Sequence, residues 1–201
     1  MKILFSPTSP YVRKCLVAAH ELGLADRIQL LPSNAHPVQR DPEIIRNNPL
    51  GKVPTFFTDD GQVLYDSRVI CEYLDNLAGG TLFPAPGARR WETLTLQSLG
   101  DGILDAGLIA RYEDVARPQP LRWPEWRAGQ LDKAETSLAH LNARPALLEG
   151  RVDIGAIAVA CALWYLDLRF EDLRWRERHP AVAKWFASFG ERPSMRAAWA
   201  I

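Results

Sequence analysis

The chain has 201 residues, 47% hydrophobic and 24% charged, ordinary values for a globular protein and enough for a substantial core in one large or two small domains. Lysine plus arginine equals aspartate plus glutamate at 24 each, so no bulk field draws the chain to nucleic acid or to an anionic membrane, although a local basic pocket for a small anion stays open. No apolar run approaches the roughly 18 residues needed to span a bilayer, and proline breaks the start MKILFSPTSP too soon for a signal peptide.

Residues 2–5 are a short apolar run suited to a buried strand. Residues 6–10 form a loop, and Val12, Cys15, Leu16 and Ala19 at helical spacing predict a helix that Gly23 ends as a C-terminal cap. Residues 28–31 read as a second strand, 33–40 as polar loop, and Asp41-Pro42 as the opening of a short helix. The stretch NPLGKVPTFFTDDGQVLYDS, residues 48–67, is the densest in signals. Gly51 permits a backbone turn that other residues resist, and Val53 before Pro54 is pushed to extended geometry. Residues 55–58 and 62–65 are strand-like runs joined by Asp59-Asp60-Gly61, a hairpin signal. Asp66-Ser67 precedes a helical pattern with Ile70, Tyr73, Leu74 and Leu77 on one face, closing near Gly79-Gly80. The order is β-α-β-α-β-β-α, in which the alternating half predicts parallel pairing and the hairpin antiparallel pairing.

Residues 81–87, TLFPAPG, read as a linker by composition. Strand signals then give out. Amphipathic patterns run over 88–116 and 123–142, the latter with Leu131, Ala134, Leu138 and Leu141 in phase. Residues 153–170 are apolar nearly all round, which predicts a helix in the middle of a bundle, and 180–189 and 194–200 read as shorter closing helices. Cys15, Cys71 and Cys161 are an odd, scattered set in apolar helical contexts; buried reduced thiols, and hence a cytoplasmic protein, are the expectation.

Three parts of the chain together resemble the soluble glutathione S-transferases. NPLGKVP, a hairpin and then Asp66-Ser67 resemble the glutathione-binding region of that family. Thr8-Ser9-Pro10-Tyr11-Val12-Arg13-Lys14 resembles its catalytic loop and first helix, here of a serine, bacterial-like type. DIGAIAVACALWYLDLRF resembles the buried helix of its C-terminal domain. The match covers most of the chain, in order and at the right spacing. It implies an α/β thioredoxin-like N-terminal domain over 1–80, the linker at 81–87, and an all-α helical-bundle domain over 88–201. It further implies an enzyme: a glutathione transferase that joins its co-substrate glutathione to a small hydrophobic electrophile. A homodimer with no metal, nucleic acid or membrane partner goes with it.

By that resemblance Ser9 occupies the position whose hydroxyl donates to the glutathione sulfur and favours the thiolate. Read from the residues alone, Ser9 before Pro10 is also an ordinary helix N-cap, and Thr8 carries the same hydroxyl one residue earlier. Cysteine-based thiol transfer is disfavoured, since a hydroxyl forms no mixed disulfide. Most X–Pro bonds are trans, but the resemblance implies a cis bond before Pro54 that turns the Val53 N–H and C=O toward the cysteinyl backbone of the tripeptide. Asp66 and Ser67, at a helix start, are implied for the γ-glutamyl end and read equally as capping residues. Lys52 pairs with the glycyl carboxylate by analogy, or is a solvated loop lysine, and Gln39 falls near another glycyl-end position. Arg111 and Tyr112, with Trp164 or Tyr165, are candidates for lining the second-substrate pocket, although aromatic residues at helical spacing are more often core.

One departure stands out. The family's buried helix begins with a Ser/Thr-x-x-Asp capping box, whereas this chain has Asp153 and Ala156 there, so the reciprocal side-chain bond is missing. His20, His36, His140 and His179 form no metal-ligand spacing with the cysteines, and no phosphate-binding glycine loop occurs. Two other readings stay open. One is a non-catalytic relative that binds glutathione weakly and acts through protein contacts. The other is a glutathione-dependent isomerase or peroxidase using the same site.

Overall fold

Ile3, Leu4 and Phe5 are buried in succession, the pattern of a strand covered on both faces, and they form β1 (Lys2–Phe5) of the computed structural model, which describes residues 1–199. β1 pairs in parallel with β2 (Gln29–Pro32) and antiparallel with β3 (Thr55–Phe57), which in turn pairs antiparallel with β4 (Val63–Leu64). Among the described residues the sheet order is therefore β2-β1-β3-β4. With α1 (Pro10–Glu21), α2 (Pro42–Asn47) and α3 (Ser67–Leu77) this is the expected thioredoxin-like arrangement. The hairpin strands are shorter than their composition predicts because Thr58 and Gln62 close the turn. The Gln62 N–H donates to Thr58 Oγ1 at 2.8 Å, and the Thr58 N–H donates to the Gln62 carbonyl at 3.0 Å.

The chain divides into two compact units, one holding Met1–Pro84 and the other Ala85–Arg192. In the second unit α4 (Ala88–Val115), α5 (Pro124–Asn142), α6 (Ile154–Arg169), α7 (Trp175–Arg178) and α8 (Pro180–Gly190) make an all-helical bundle. α6 is buried along nearly its whole length, as its all-round apolar sequence predicts. Its crossing with α4 depends on two glycines. A Cβ on Gly100 of α4 would lie 2.7 Å from the backbone of Ala158 and Val159, and one on Gly155 of α6 would lie 2.8 Å from the Thr93 carbonyl. Backbone cannot yield at such distances, so both positions must lack a side chain.

The missing capping box is replaced by a buried ion pair. Asp153 Oδ1 accepts the Ala156 N–H at 3.1 Å, capping α6, while Oδ2 accepts from Arg151 Nε at 2.8 Å and Thr93 Oγ1 at 3.1 Å. Arg151 Nη2 donates to Thr93 Oγ1 at 2.8 Å, so the three buried side chains close a ring. At the other end of α4, buried Glu113 accepts the Trp123 N–H at 2.6 Å and Arg117 Nε at 2.7 Å, tying down the connection to α5. Those bonds, the Trp123 N–H foremost, hold its carboxyl below the ordinary glutamate value.

Two features of the first unit were not visible in composition. The first half of the proline-rich segment at 81–87 is anchored: Asp75 accepts the N–H groups of Thr81, Leu82 and Phe83, and Leu82 and Phe83 are buried. The last helix, α9 (Pro193–Trp199), groups with this unit rather than with the helical bundle, and lies along α1. Ser194 donates to Glu21 at one end of α1, and Arg13 donates to the Ala198 carbonyl nearer the other. Ala200, at the end of the helix expected here, lies outside the described residues.

Arg151→Met leaves the Asp153 carboxylate buried without its main cation, and should lower unfolding free energy by about 3 kcal/mol in denaturant titration. Arg89→Ala removes only the exposed partner 3.8 Å from Asp153 and should cost at most ~1 kcal/mol. Glu113→Gln should lower Tm at pH 7. A depressed folded-state pKa stabilises above the unfolded value near 4.5 and ceases to as pH falls through the folded pKa, so the deficit should close on acidification.

Candidate functional site

Sheet register gathers the candidate residues of the first unit. β1 runs toward Phe5, which faces Pro32 at the end of β2; Leu4 faces Thr55, the first residue of β3; and Phe56 faces Leu64, near the end of β4. The loops after β1, after β2, before β3 and after β4 therefore open at one end of the sheet. They carry Ser9, Gln39, Val53, and Asp66 with Ser67, respectively.

Ser9 is the N-cap of α1: its Oγ accepts the Val12 N–H at 3.3 Å, and its own N–H donates to the Ser6 carbonyl at 3.0 Å. The capping role leaves the hydroxyl proton free to donate, because a hydroxyl carries one donor beside its lone pairs. Thr8 lies one residue earlier on the exposed turn. A cavity of about 10 Å³, room for roughly one water, is lined by Ser6, Pro7, Ser9, Val12, Arg13 and Ala198 among others.

At the third loop the Val53–Pro54 peptide bond is cis, as the resemblance implies; the Tyr65–Asp66 bond is cis as well. Val53 is half-buried and Pro54 buried, whereas the Lys52 side chain is exposed. Gly51 turns with φ +64°, and a Cβ there would lie 2.9 Å from Arg40 Nη2. That guanidinium also donates to the Pro49 carbonyl at 2.7 Å, so Arg40 lies across the turn at 49–51. Sequence reading singled out its neighbour Gln39, whose side chain is exposed and whose N–H turns back to His36 Nδ1 at 2.9 Å. The signal for Arg40 was its charge within the polar loop at 33–40.

Asp66 is the N-cap of α3, accepting the Arg68 N–H at 2.9 Å, and is exposed; Ser67, the first residue of that helix, is buried. α1 and α3 meet behind them. Cys15 Sγ lies 3.9 Å from the Ser67 carbonyl and 3.9 Å from Cys71 Sγ, and all three cysteines are buried thiols outside any disulfide. The two that looked scattered are thus neighbours. Electrostatically this sheet end carries the cations Lys52 and Arg40 and the N-terminal ends of α1 and α3, whose dipoles favour an anion.

The candidates for a second pocket all lie in the helical unit. Arg111 and Tyr112 are half-buried on α4, and Trp164 is half-buried on α6. Tyr165 is core: its ring lies where a Cβ on Gly107 would meet it at 3.5 Å, it meets Phe170 edge-on, and burial pushes its hydroxyl pKa up, as it does for Tyr112. A wider groove in this unit, about 580 Å³, is lined by Asp167, Phe170, Glu171, Asp172, Arg174 and Trp175 and holds none of them. No group of three or more metal-ligating side chains occurs among the described residues.

Residues 8–77 match the family model of the glutathione S-transferase N-terminal domain, and residues 124–188 that of its C-terminal domain. Over 96% of each chain, the protein is 34% identical to the uncharacterized GST-like protein YibF of Escherichia coli K12. It is also 47% identical to a glutathione transferase family member from Pseudomonas fluorescens Pf-5 solved with bound glutathione, with a TM-score of 0.95 over 98% of this chain and 97% of that one. Horse elongation factor 1-gamma is 28% identical over 92% of this chain, which spans only 43% of that protein.

Gly51→Ala places a side chain at positive φ against Arg40 and should cost about 1 kcal/mol of stability. Gly61→Ala, also at positive φ but in open space, isolates the backbone share of that loss when the two are compared by thermal unfolding.

Proposed function

Since the chain belongs to the soluble glutathione S-transferase family, we propose that it is a glutathione transferase, holding glutathione at the sheet end of the first unit and adding its thiolate to a small hydrophobic electrophile. The observation that carries this reading is the register, which brings a hydroxyl, a main-chain edge and a helix start to one place. The glutathione seen in the Pseudomonas fluorescens relative supports the same ligand here.

A tripeptide with a carboxylate at each end, one α-ammonium and a thiol fits the chemistry. Ser67, at the positive N-terminal end of α3, takes the γ-glutamyl carboxylate, and Asp66 takes the ammonium. Val53 pairs with the cysteinyl backbone as a short antiparallel strand, with Pro54 fixing the edge. Lys52 and Arg40 receive the glycyl carboxylate, with Gln39 at the rim.

Ser9 then acts on the sulfur. A model thiol titrates near 8.5, so lowering it by two units takes about 2.7 kcal/mol of preference for the thiolate. One hydrogen bond to a charged group is worth roughly 1.5–3 kcal/mol, and the N-terminus of α1 adds to it. The Val12 N–H already bonded to Ser9 Oγ leaves the hydroxyl proton as the group's contribution. The thiolate forms a C–S bond while the electrophile's leaving group departs with its electron pair. In an addition, the electrons instead move onto a conjugated carbon that later takes the proton. Arg111, Tyr112 and Trp164 are proposed to shape the site for that second substrate. The enzyme works as a homodimer in a reducing, cytoplasmic compartment, in keeping with buried thiols that form no disulfide.

A second reading, a relative that acts through protein contacts with little or no catalysis, is favoured by the similarity to a protein named as an elongation factor. Isomerase or peroxidase chemistry would use the same bound thiolate. Calorimetric titration should give saturable heat with glutathione; no heat at millimolar ligand would favour the second reading. Ser9→Ala should cut conjugation of a generic aromatic halide by about tenfold or more, and Thr8→Ala should not. The reverse pattern would transfer the role to Thr8.

A further inference from the structure

We propose that Asn48, with Thr55, is a positioning residue for glutathione: the two side chains aim the Val53 N–H at the open end of the sheet. This rests on the glutathione reading above. Asn48 is 1% exposed and Thr55 is fully buried. Asn48 Nδ2 donates to the Lys52 carbonyl at 3.1 Å and to Thr55 Oγ1 at 3.0 Å, and its Oδ1 accepts the Leu50 N–H at 3.0 Å. Thr55 Oγ1 donates in turn to the same Lys52 carbonyl at 2.9 Å. The Gly51 N–H returns to the Asn48 carbonyl at 2.8 Å, closing the turn.

The consequence follows from peptide planarity. The Lys52–Val53 bond is not one of the cis bonds, so its C=O and N–H point in opposite directions within one plane. With the Lys52 carbonyl held inward by two buried donors, the Val53 N–H points away from the core. Among the described residues it has no hydrogen-bond partner, and Val53 itself is only half-buried. Pro54 follows and supplies no N–H, so Val53 offers the one donor at this point of the edge. Buried polar groups are normally satisfied within the protein. Here the inward side is fully satisfied and the outward side is left for a ligand carbonyl.

Asparagine is specific for this task, because it must donate twice while accepting once. Aspartate has the same shape but sets a carboxylate against the Lys52 carbonyl and Thr55 Oγ1. Asn48→Asp and Thr55→Val should each raise the KM and the calorimetric Kd for glutathione by about tenfold, with kcat at saturating glutathione within about threefold of wild type. Thr55→Ser keeps the hydroxyl and should restore the wild-type KM. In hydrogen exchange, the Val53 amide should gain protection on adding glutathione to the wild-type and Thr55→Ser proteins, and gain less in Thr55→Val. Should Asn48→Asp fail to fold, the Thr55 pair carries the test alone. Folded variants that bind glutathione as the wild type does, or that lose kcat with KM unchanged, would overturn the assignment. No binding by the wild type would instead sink the glutathione reading itself, so the two failures are distinguishable.

Discussion

The carbonyl of Lys52, held from within by Asn48 and Thr55, is the constraint on which the candidate site depends. Much of what this sheet end can offer a ligand is main chain: the edge at Val53 and the opening turns of α1 and α3. Main-chain groups have no rotamers of their own, so they are aimed only by what grips the chain behind them. At 48–55 the grip is a pair of buried polar side chains; at α1 and α3 it is the N-caps Ser9 and Asp66.

Behind that edge, α1 is gripped along its length. Its first turn is capped by Ser9, its middle touches α3 at the Cys15–Cys71 contact, and α9 is bonded to it through Arg13 and Glu21. Ala198 of α9 also borders the small cavity beside Ser9, so the last described turns of the chain help to shape the loop near its beginning. The helical unit is held differently: two glycines bring α4 and α6 to backbone contact, and a buried charge ring stands where the resemblance implied a capping box. Charge inside the bundle is tolerated because every member of the ring is bonded to another.

Most of the architecture was legible, for local reasons. Strand and helix periods, the Asp-Gly turn, the capping residues Asp41, Asp66 and Asp153, and the glycine at 51 each act within a few residues, so the sequence displays them directly. The motif segments that resemble the family also reported the cis bond before Pro54, which no propensity would have given. Asp153 was read as a cap that had lost its partner. Arg151 and Thr93, its actual partners, lie two and sixty residues away, and only Arg151 was near enough to be suspected.

By itself, then, the sequence determined the element order, the two-part organisation into mixed and helical halves, and the family to which the chain belongs, because these rest on periodicity, capping and motif order. Tertiary structure decided which cation lies over Gly51, where Arg40 rather than Gln39 bridges the loop. It also decided that Cys15 and Cys71 are neighbours, that α9 returns to α1, and that Asn48 faces inward to fix the Lys52 carbonyl. The physical reason is common to all four. Each contact joins side chains or backbone groups brought together by loop closure or helix packing, and a linear pattern carries no record of the distance between such groups until the chain has closed.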